Sequence, residues 1–100
     1  MPILMVIEIE VLDEEVYAEY LEKVPATVAK YGGSYIVRGG PVVPLTGDWS
    51  PQRVIILEFP SGEDMQRWNS SPEYLELAPL RMRSAKTRAI ALQGYVPDRR

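Results

Sequence analysis

Between Arg53 and Phe59 the chain reads Arg-Val-Ile-Ile-Leu-Glu-Phe, and Pro60-Ser61 follows at once. In an extended strand alternate residues face opposite ways, so Ile55, Leu57 and Phe59 share one face and Val54, Ile56 and Glu58 the other. Apolar residues on both faces demand cover on both faces. Ile3 to Val11 has the same property: Ile3, Met5, Ile7, Ile9 and Val11 line one face, while Leu4 and Val6 precede Glu8 and Glu10 on the other. In a chain of 100 residues, two such strands define the centre of a single sheet.

The other elements follow from their punctuation. Asp13 suits a helix N-cap, with Glu14 and Glu15 at the positive end of the macrodipole. Tyr17, Tyr20, Leu21, Val24, Val28 and Tyr31 then recur at helical spacing. Gly32-Gly33 supplies the left-handed stop, and Pro25 is expected to bend the helix. Ser34 to Arg38 reads as a short strand with Tyr35 and Val37 on one face. A loop of 14 residues, Gly39 to Gln52, follows; its prolines and glycines shape it, and loops this long are often functional. Ser61 and Ser71-Pro72 each start a helix, and Pro79 is expected to kink or shorten the second. Lys86 to Tyr95 reads as the last strand of a single domain over 1–96, with 97–100 a tail.

The order strand, helix, strand, strand, helix, strand predicts an α+β, ferredoxin-like βαββαβ fold. Right-handed crossovers give an antiparallel sheet in the order 4-1-3-2 with two helices on one face. Strands one and three are then central, as their two-sided apolar pattern requires. Two helices cover only one face; the simplest cover for the other is the same face of another copy, although the last strand could instead fold over its own sheet. A domain this size buries only about 60–70% of its unfolded surface, so a partner also helps stability. The expected assembly is a homodimer through the open sheet face, a dimeric α/β barrel.

Composition removes several chemistries. With no Cys and no His, the chain has no disulfide framework, no thiolate nucleophile and no Ser-His-Asp triad. Haem on a His or Cys ligand is excluded in the same way, and no metal or cofactor is expected. A net charge of −3 argues against nucleic acid. The longest apolar run, Ile3 to Ile7, is far short of a membrane span, and no signal peptide is evident, so the expected location is cytoplasmic. Met1 to Glu22 carries seven carboxylates and no base, whereas Arg81 to Arg100 carries six bases against Asp98. Pairing of the first and last strands would let these charges compensate.

This topology gathers Tyr17, Tyr20, Arg38, Trp49, Arg53 and Arg81 toward one end of the sheet and places Glu58 at the other. Glu58 ends an apolar strand and is the candidate catalytic base; it could equally accept backbone donors. Arg38 and Arg81 are candidates to fix an anionic or carbonyl group; Arg38 could equally hold the long loop or bridge to Glu8 or Glu10, and Arg81 could equally form a surface ion pair. Tyr20, Trp68 and Tyr74 are candidate apolar walls, and all three also suit a core. Ser71 joins this substrate-binding set, with helix capping as its other role. Trp49 reads as a dimer anchor or a lid residue.

Four segments carry a family resemblance: Tyr31-Gly-Gly-Ser-Tyr-Ile-Val-Arg-Gly-Gly40, Leu45-Thr-Gly-Asp-Trp49-Ser-Pro-Gln-Arg53, Glu58-Phe-Pro-Ser61, and Trp68-Asn-Ser-Ser-Pro-Glu-Tyr74 with Arg81 beyond it. Together they resemble the domain of unknown function 1330 family over roughly residues 2–95. Asn69 departs from that pattern, where family members often carry Tyr. The resemblance implies a dimeric α/β barrel of ferredoxin-like subunits. The wider superfamily includes cofactor-free monooxygenases, decarboxylases, isomerases and haem-degrading enzymes. By that analogy the expectation is a small organic ligand between sheet and helices, with a cofactor-free oxygenase or isomerase chemistry. The alternative is a non-catalytic dimeric binding or structural module.

Overall fold

The computed structural model describes residues 1–97. The expected tail therefore lies, from residue 98 on, outside the described residues. Strands β1 (Ile3–Val11), β2 (Ser34–Arg38), β3 (Arg53–Phe59) and β4 (Ala85–Gln93) form one antiparallel sheet in the order β2-β3-β1-β4. Helix α1 (Glu14–Lys30) joins β1 to β2, while α2 (Gly62–Asn69) and α3 (Pro72–Ser84) join β3 to β4. This is the expected ferredoxin-like order, with the second helix divided in two at Ser70-Ser71.

The helices start where the caps placed them. Asp13 accepts from the Val16 amide, Ser61 from Asp64 and Ser71 from Tyr74. Gly32 takes φ +82° after α1, and its neighbour Gly33 packs so tightly that a Cβ there would lie 2.7 Å from Phe59 and from Val28. Pro79 does not end α3, which continues to Ser84. The residue is exposed, so the carbonyl it leaves unbonded can turn to water.

Register sorts the sheet into two faces. Ile9, Ile55, Leu57 and Phe59 are buried beneath the helices with Val24, Val28 and Trp68. Burying a side chain such as Phe59 is worth about 1.5–3 kcal/mol. The other face carries Leu4, Val6 and Glu8 from β1, Val54, Ile56 and Glu58 from β3, and Arg88, Ile90 and Leu92 from β4. Ile90 is 59% exposed and Leu92 46%, so this apolar face is left open among the described residues. Glu8 sits opposite Arg88 and Glu10 opposite Lys86, so the charges of the first and last strands do compensate. Arg88 bonds Glu8, and the Trp49 indole donates to the same carboxylate at 3.2 Å. The 39–52 loop thus folds toward the open face.

One strand departs from expectation. Tyr35 pairs with Leu57, yet Val37 pairs with Ile56, because a bulge at Ile36 shifts the register. Tyr35 and Val37 therefore face opposite ways. An inserted residue reverses the alternation, and a five-residue edge strand gives no sequence signal of it. Among the described residues no helix is long and apolar enough to cross a membrane.

Candidate functional site

A cavity of about 280 Å³ lies between the buried sheet face and the helices. Its floor is sheet: Met5, Ile7, Ile9, Ile55 and Leu57, with Tyr35, Thr87 and Ala89 at the sides. Its roof is mostly aromatic. Tyr17 and Tyr20 come from α1, Trp68 from α2, and Tyr74 and Arg81 from α3. The roof rings form a row, with centroids 6.0 Å apart for Tyr17–Tyr20, 6.5 Å for Tyr20–Tyr74 and 4.3 Å for Tyr74–Trp68. Helical spacing explains who meets whom: Tyr17 and Tyr20 are three residues apart, and Tyr74 and Arg81 are two turns apart.

Hydrogen bonds lock part of this roof. The Trp68 indole donates to Thr27 Oγ1 at 3.0 Å. Ser71 Oγ accepts from the Tyr74 amide at 3.1 Å and donates to the Trp68 carbonyl at 2.7 Å. Its capacity is spent on the helix junction, so Ser71 positions Trp68 and Tyr74 without lining the cavity. Tyr74 Oη accepts from Arg81 Nε at 3.2 Å and lies 3.2 Å from Tyr20 Oη.

Other polar atoms are left over. Tyr17 Oη and Thr87 Oγ1 are buried and have no hydrogen-bond partner. Behind Tyr17, Arg53 sits with its guanidinium 5.5 Å from the ring centroid. Arg53 Nε is also unpartnered, and the backbone fits over this side chain only at Gly39, where φ is +78° and a Cβ would lie 2.3 Å from Arg53 Cζ. Burial raises the pKa of Tyr17, while the charge of Arg53, the approach of its N–H groups to the phenol oxygen and the charge of Arg81 pull it back; that approach falls short of hydrogen-bond geometry and in any case leaves the phenol proton without an acceptor. Burial raises Tyr20 strongly, reinforced by Tyr74, and burial raises Tyr35 against the pull of Arg38. These three phenols are therefore neutral donors at ordinary pH.

Of the residues singled out from the sequence, Tyr20, Trp68, Tyr74 and Arg81 meet at the cavity. Arg38 does not line it. Its side chain is exposed and stacks over Tyr35, 4.9 Å from the ring centroid. Glu58 lies across the sheet from the cavity, paired in register with Leu4 and Ser34. Strand alternation alone puts it there, opposite Leu57, so it is no base for this site. Tyr17, Tyr35, Asn69 and Thr87 add further polar groups to the lining. Tyr17 was legible at helical spacing, but Thr87 enters only through its register with Ile9. Among the described residues no cluster of carboxylates is arranged to hold a metal ion.

The sheet order, the helices on one face and the cavity between them define a ferredoxin-like α+β protein with an internal pocket. The chain belongs to the family described as Domain of unknown function (DUF1330), whose profile matches residues 2–95. It is similar to RPA0582, a protein of unknown function from Rhodopseudomonas palustris, at 24% identity and TM-score 0.81, covering 96% of this chain and 84% of that one. Its fold is also that of SnoaB, a cofactor-independent oxygenase from Streptomyces nogalater (12% identity, TM-score 0.66, 96% and 95% covered). A putative antibiotic biosynthesis monooxygenase from Nitrosomonas europaea shares it too (11% identity, TM-score 0.63, 96% and 92% covered). Among proteins with curated descriptions, none matches the sequence significantly.

Proposed function

We propose that this protein binds a small organic molecule in the cavity between sheet and helices and acts as a homodimer joined through its open sheet face. The observation that carries the ligand site is the pair of buried, unpartnered hydroxyls, Tyr17 Oη and Thr87 Oγ1, at a largely apolar hollow. Each orphaned polar group costs about 1–3 kcal/mol, a cost that a bound ligand would offset. A purely structural module would have closed the hollow or paired these groups.

Within this reading Tyr20, Trp68 and Tyr74 are walls, Arg81 and Tyr17 are polar contacts, and Ser71 holds the roof. The lining contains no carboxylate, so the site offers hydrogen-bond donors and one cation rather than a base. The chemistry open to it is stabilisation of negative charge on oxygen, the feature a cofactor-free oxygenase or isomerase would use on an ionised carbon acid. The cofactor-independent oxygenase SnoaB and the putative monooxygenase from Nitrosomonas europaea, which share the fold, are consistent with that enzymatic version. The second copy is argued from the exposed Ile90 and Leu92 and the half-buried Ile56, an apolar strip left open among the described residues. The same proposal keeps the cytoplasmic setting expected from the sequence.

Native mass spectrometry on gently purified protein tests both halves. The expected spectrum shows two chains with a reproducible small adduct. Two chains without any adduct, together with no ligand-induced thermal shift across a library of small organic compounds, would overturn the site. A monomer at micromolar concentration would overturn the dimer, and Ile90→Lys is expected to produce one.

A further inference from the structure

The donor and acceptor count of the cavity specifies what kind of molecule fits it. Tyr20 and Tyr74 bring two phenolic protons to one shared contact, and Tyr74 Oη already accepts from Arg81. Whichever way the pair is oriented, one proton lies between the two oxygens and the other has no acceptor in the chain. Tyr17 adds a second unused donor and Thr87 a third. A guanidinium carries five N–H donors, and Arg81 uses only Nε within the chain. The one side-chain carbonyl on the lining is that of Asn69.

Charge points the same way. Among the described residues, Arg81, Arg53 and Arg38 form no ion pair, although Lys23, Lys30, Arg67 and Arg88 all do. These three arginines stand beside the cavity-lining Tyr74, Tyr17 and Tyr35 respectively, whereas Arg83 and Lys86, also without an ion pair among the described residues, are exposed at the surface. Shape supplies the rest. One wall is a flat sheet surface of Ile9, Ile55 and Leu57; the other is a row of rings ending at Trp68. A slot between a sheet face and aromatic rings favours a planar, apolar body.

We propose that the ligand is a small planar aromatic compound bearing one anionic oxygen group, carboxylate or phenolate, held by Arg81 and the hydroxyls of Tyr17 and Tyr20–Tyr74, with its ring lying toward Trp68. This deepens the cavity reading and rests on it. The anion accepts the unused protons and supplies the counter-charge that no carboxylate of the lining provides. Buried charge-assisted hydrogen bonds of this kind are about twice as strong as neutral ones.

The test uses the full chain carrying Trp49→Phe, so that Trp68 is the only indole; Trp49 lies on the other face of the sheet. Titrations with 2-naphthoate, 2-naphthol, neutral 2-naphthamide and cyclohexanecarboxylate are followed by Trp68 emission and by thermal shift. 2-Naphthoate is expected to bind at least about tenfold tighter than the amide and than the non-planar acid, which corresponds to about 1.4 kcal/mol. Tighter binding of 2-naphthol above its pKa than below it would assign the anion to a phenolate source. Arg81→Met is expected to erase the preference for naphthoate over the amide while leaving the amide bound, a result that loss of folding cannot imitate. If the amide binds as well as naphthoate, the anion inference fails and the cavity reading survives. If no aromatic probe changes Trp68 emission or melting temperature, and the purified protein carries no adduct, both fail together.

Discussion

The two faces of the sheet treat their charges in opposite ways. On the open face Glu8 and Arg88 lie opposite each other in register, and Trp49 donates to the same carboxylate. Groups with easy access to water are nonetheless partnered. On the helix-covered face, where an unmet polar group costs most, Tyr17 Oη and Thr87 Oγ1 have no partner and Arg81 has no counter-ion among the described residues. Stability alone would arrange matters the other way round. The covered face also leaves a hollow where an ordinary core is packed to crystal-like density. The contrast is the one that the proposed dimer and the proposed ligand site would each require: an outer face that meets another surface and an inner face that receives a molecule.

The largest effect should come from removing the roof. Trp68 is 2% exposed, touches Tyr74 and Phe59, and bonds Thr27. Trp68→Ala is expected to cost about 3–5 kcal/mol in urea unfolding. Ile90→Ala on the outer face should cost far less at concentrations low enough to hold the chain monomeric, and more as protein concentration rises. Equal, concentration-independent losses at the two sites would break the contrast between the faces.

A smaller change probes how tightly the covered face is packed away from the hollow. Gly33→Ala places a methyl 2.7 Å from Phe59 and Val28, inside the seam where α1 turns into β2. Overpacking of this kind costs about 1–3 kcal/mol. The cavity lies further along the sheet, so thermal melting should fall while binding of an aromatic probe stays within a fewfold. An undiminished melting temperature would mean that the seam is looser than the roof.

How much of this was legible depended on the kind of signal. The central strands were fixed by two-sided apolar patterns, and the helix starts by Asp13, Ser61 and Ser71; these are local features and need no tertiary knowledge. Sheet order followed from handedness. The walls Tyr20, Trp68 and Tyr74 were legible because they share faces of helices that must lie on the sheet. Glu58 was misjudged as a site residue because its chemistry was weighed ahead of its parity: it alternates with Leu57, so it must face away from the helices. Arg38 is turned by the bulge at Ile36 onto the same face as Tyr35, yet at the end of the edge strand it stays exposed over that ring and does not reach the cavity. Thr87 could be found only by pairing β4 with β1 in register, which the sequence suggests through charge but does not number.

Two carboxylates, one in each layer, sharpen the comparison through pH. Glu73 ties the start of α3 to the end of α1. The Lys30 ammonium, a backbone donor and the Tyr31 hydroxyl hold its carboxyl down at about 2. Glu8, on the outer face, is also held below the ordinary carboxylate range, by Arg88 first and then by the Trp49 indole. In both cases the folded pKa lies below the unfolded value near 4.5, so the ionised group's contribution is complete above that pH and fades as pH falls through the folded value. Lys30 mirrors this at the alkaline end: its raised pKa makes its contribution complete below 10.5 and lost above the folded value. Glu73→Gln should therefore lower stability at neutral pH and flatten the loss between about pH 4.5 and 2, converging on the parent protein at the acid end. Glu8→Gln should flatten the same limb less, because Glu73 alone of the two is held as low as about 2. Its effect should also depend on protein concentration, since a second copy seated on the open face would take the Glu8–Arg88 pair out of water. Acid titrations of both variants at two protein concentrations decide the matter: a concentration-independent Glu8→Gln, alongside an unchanged Glu73→Gln, would leave the outer face an ordinary solvated surface.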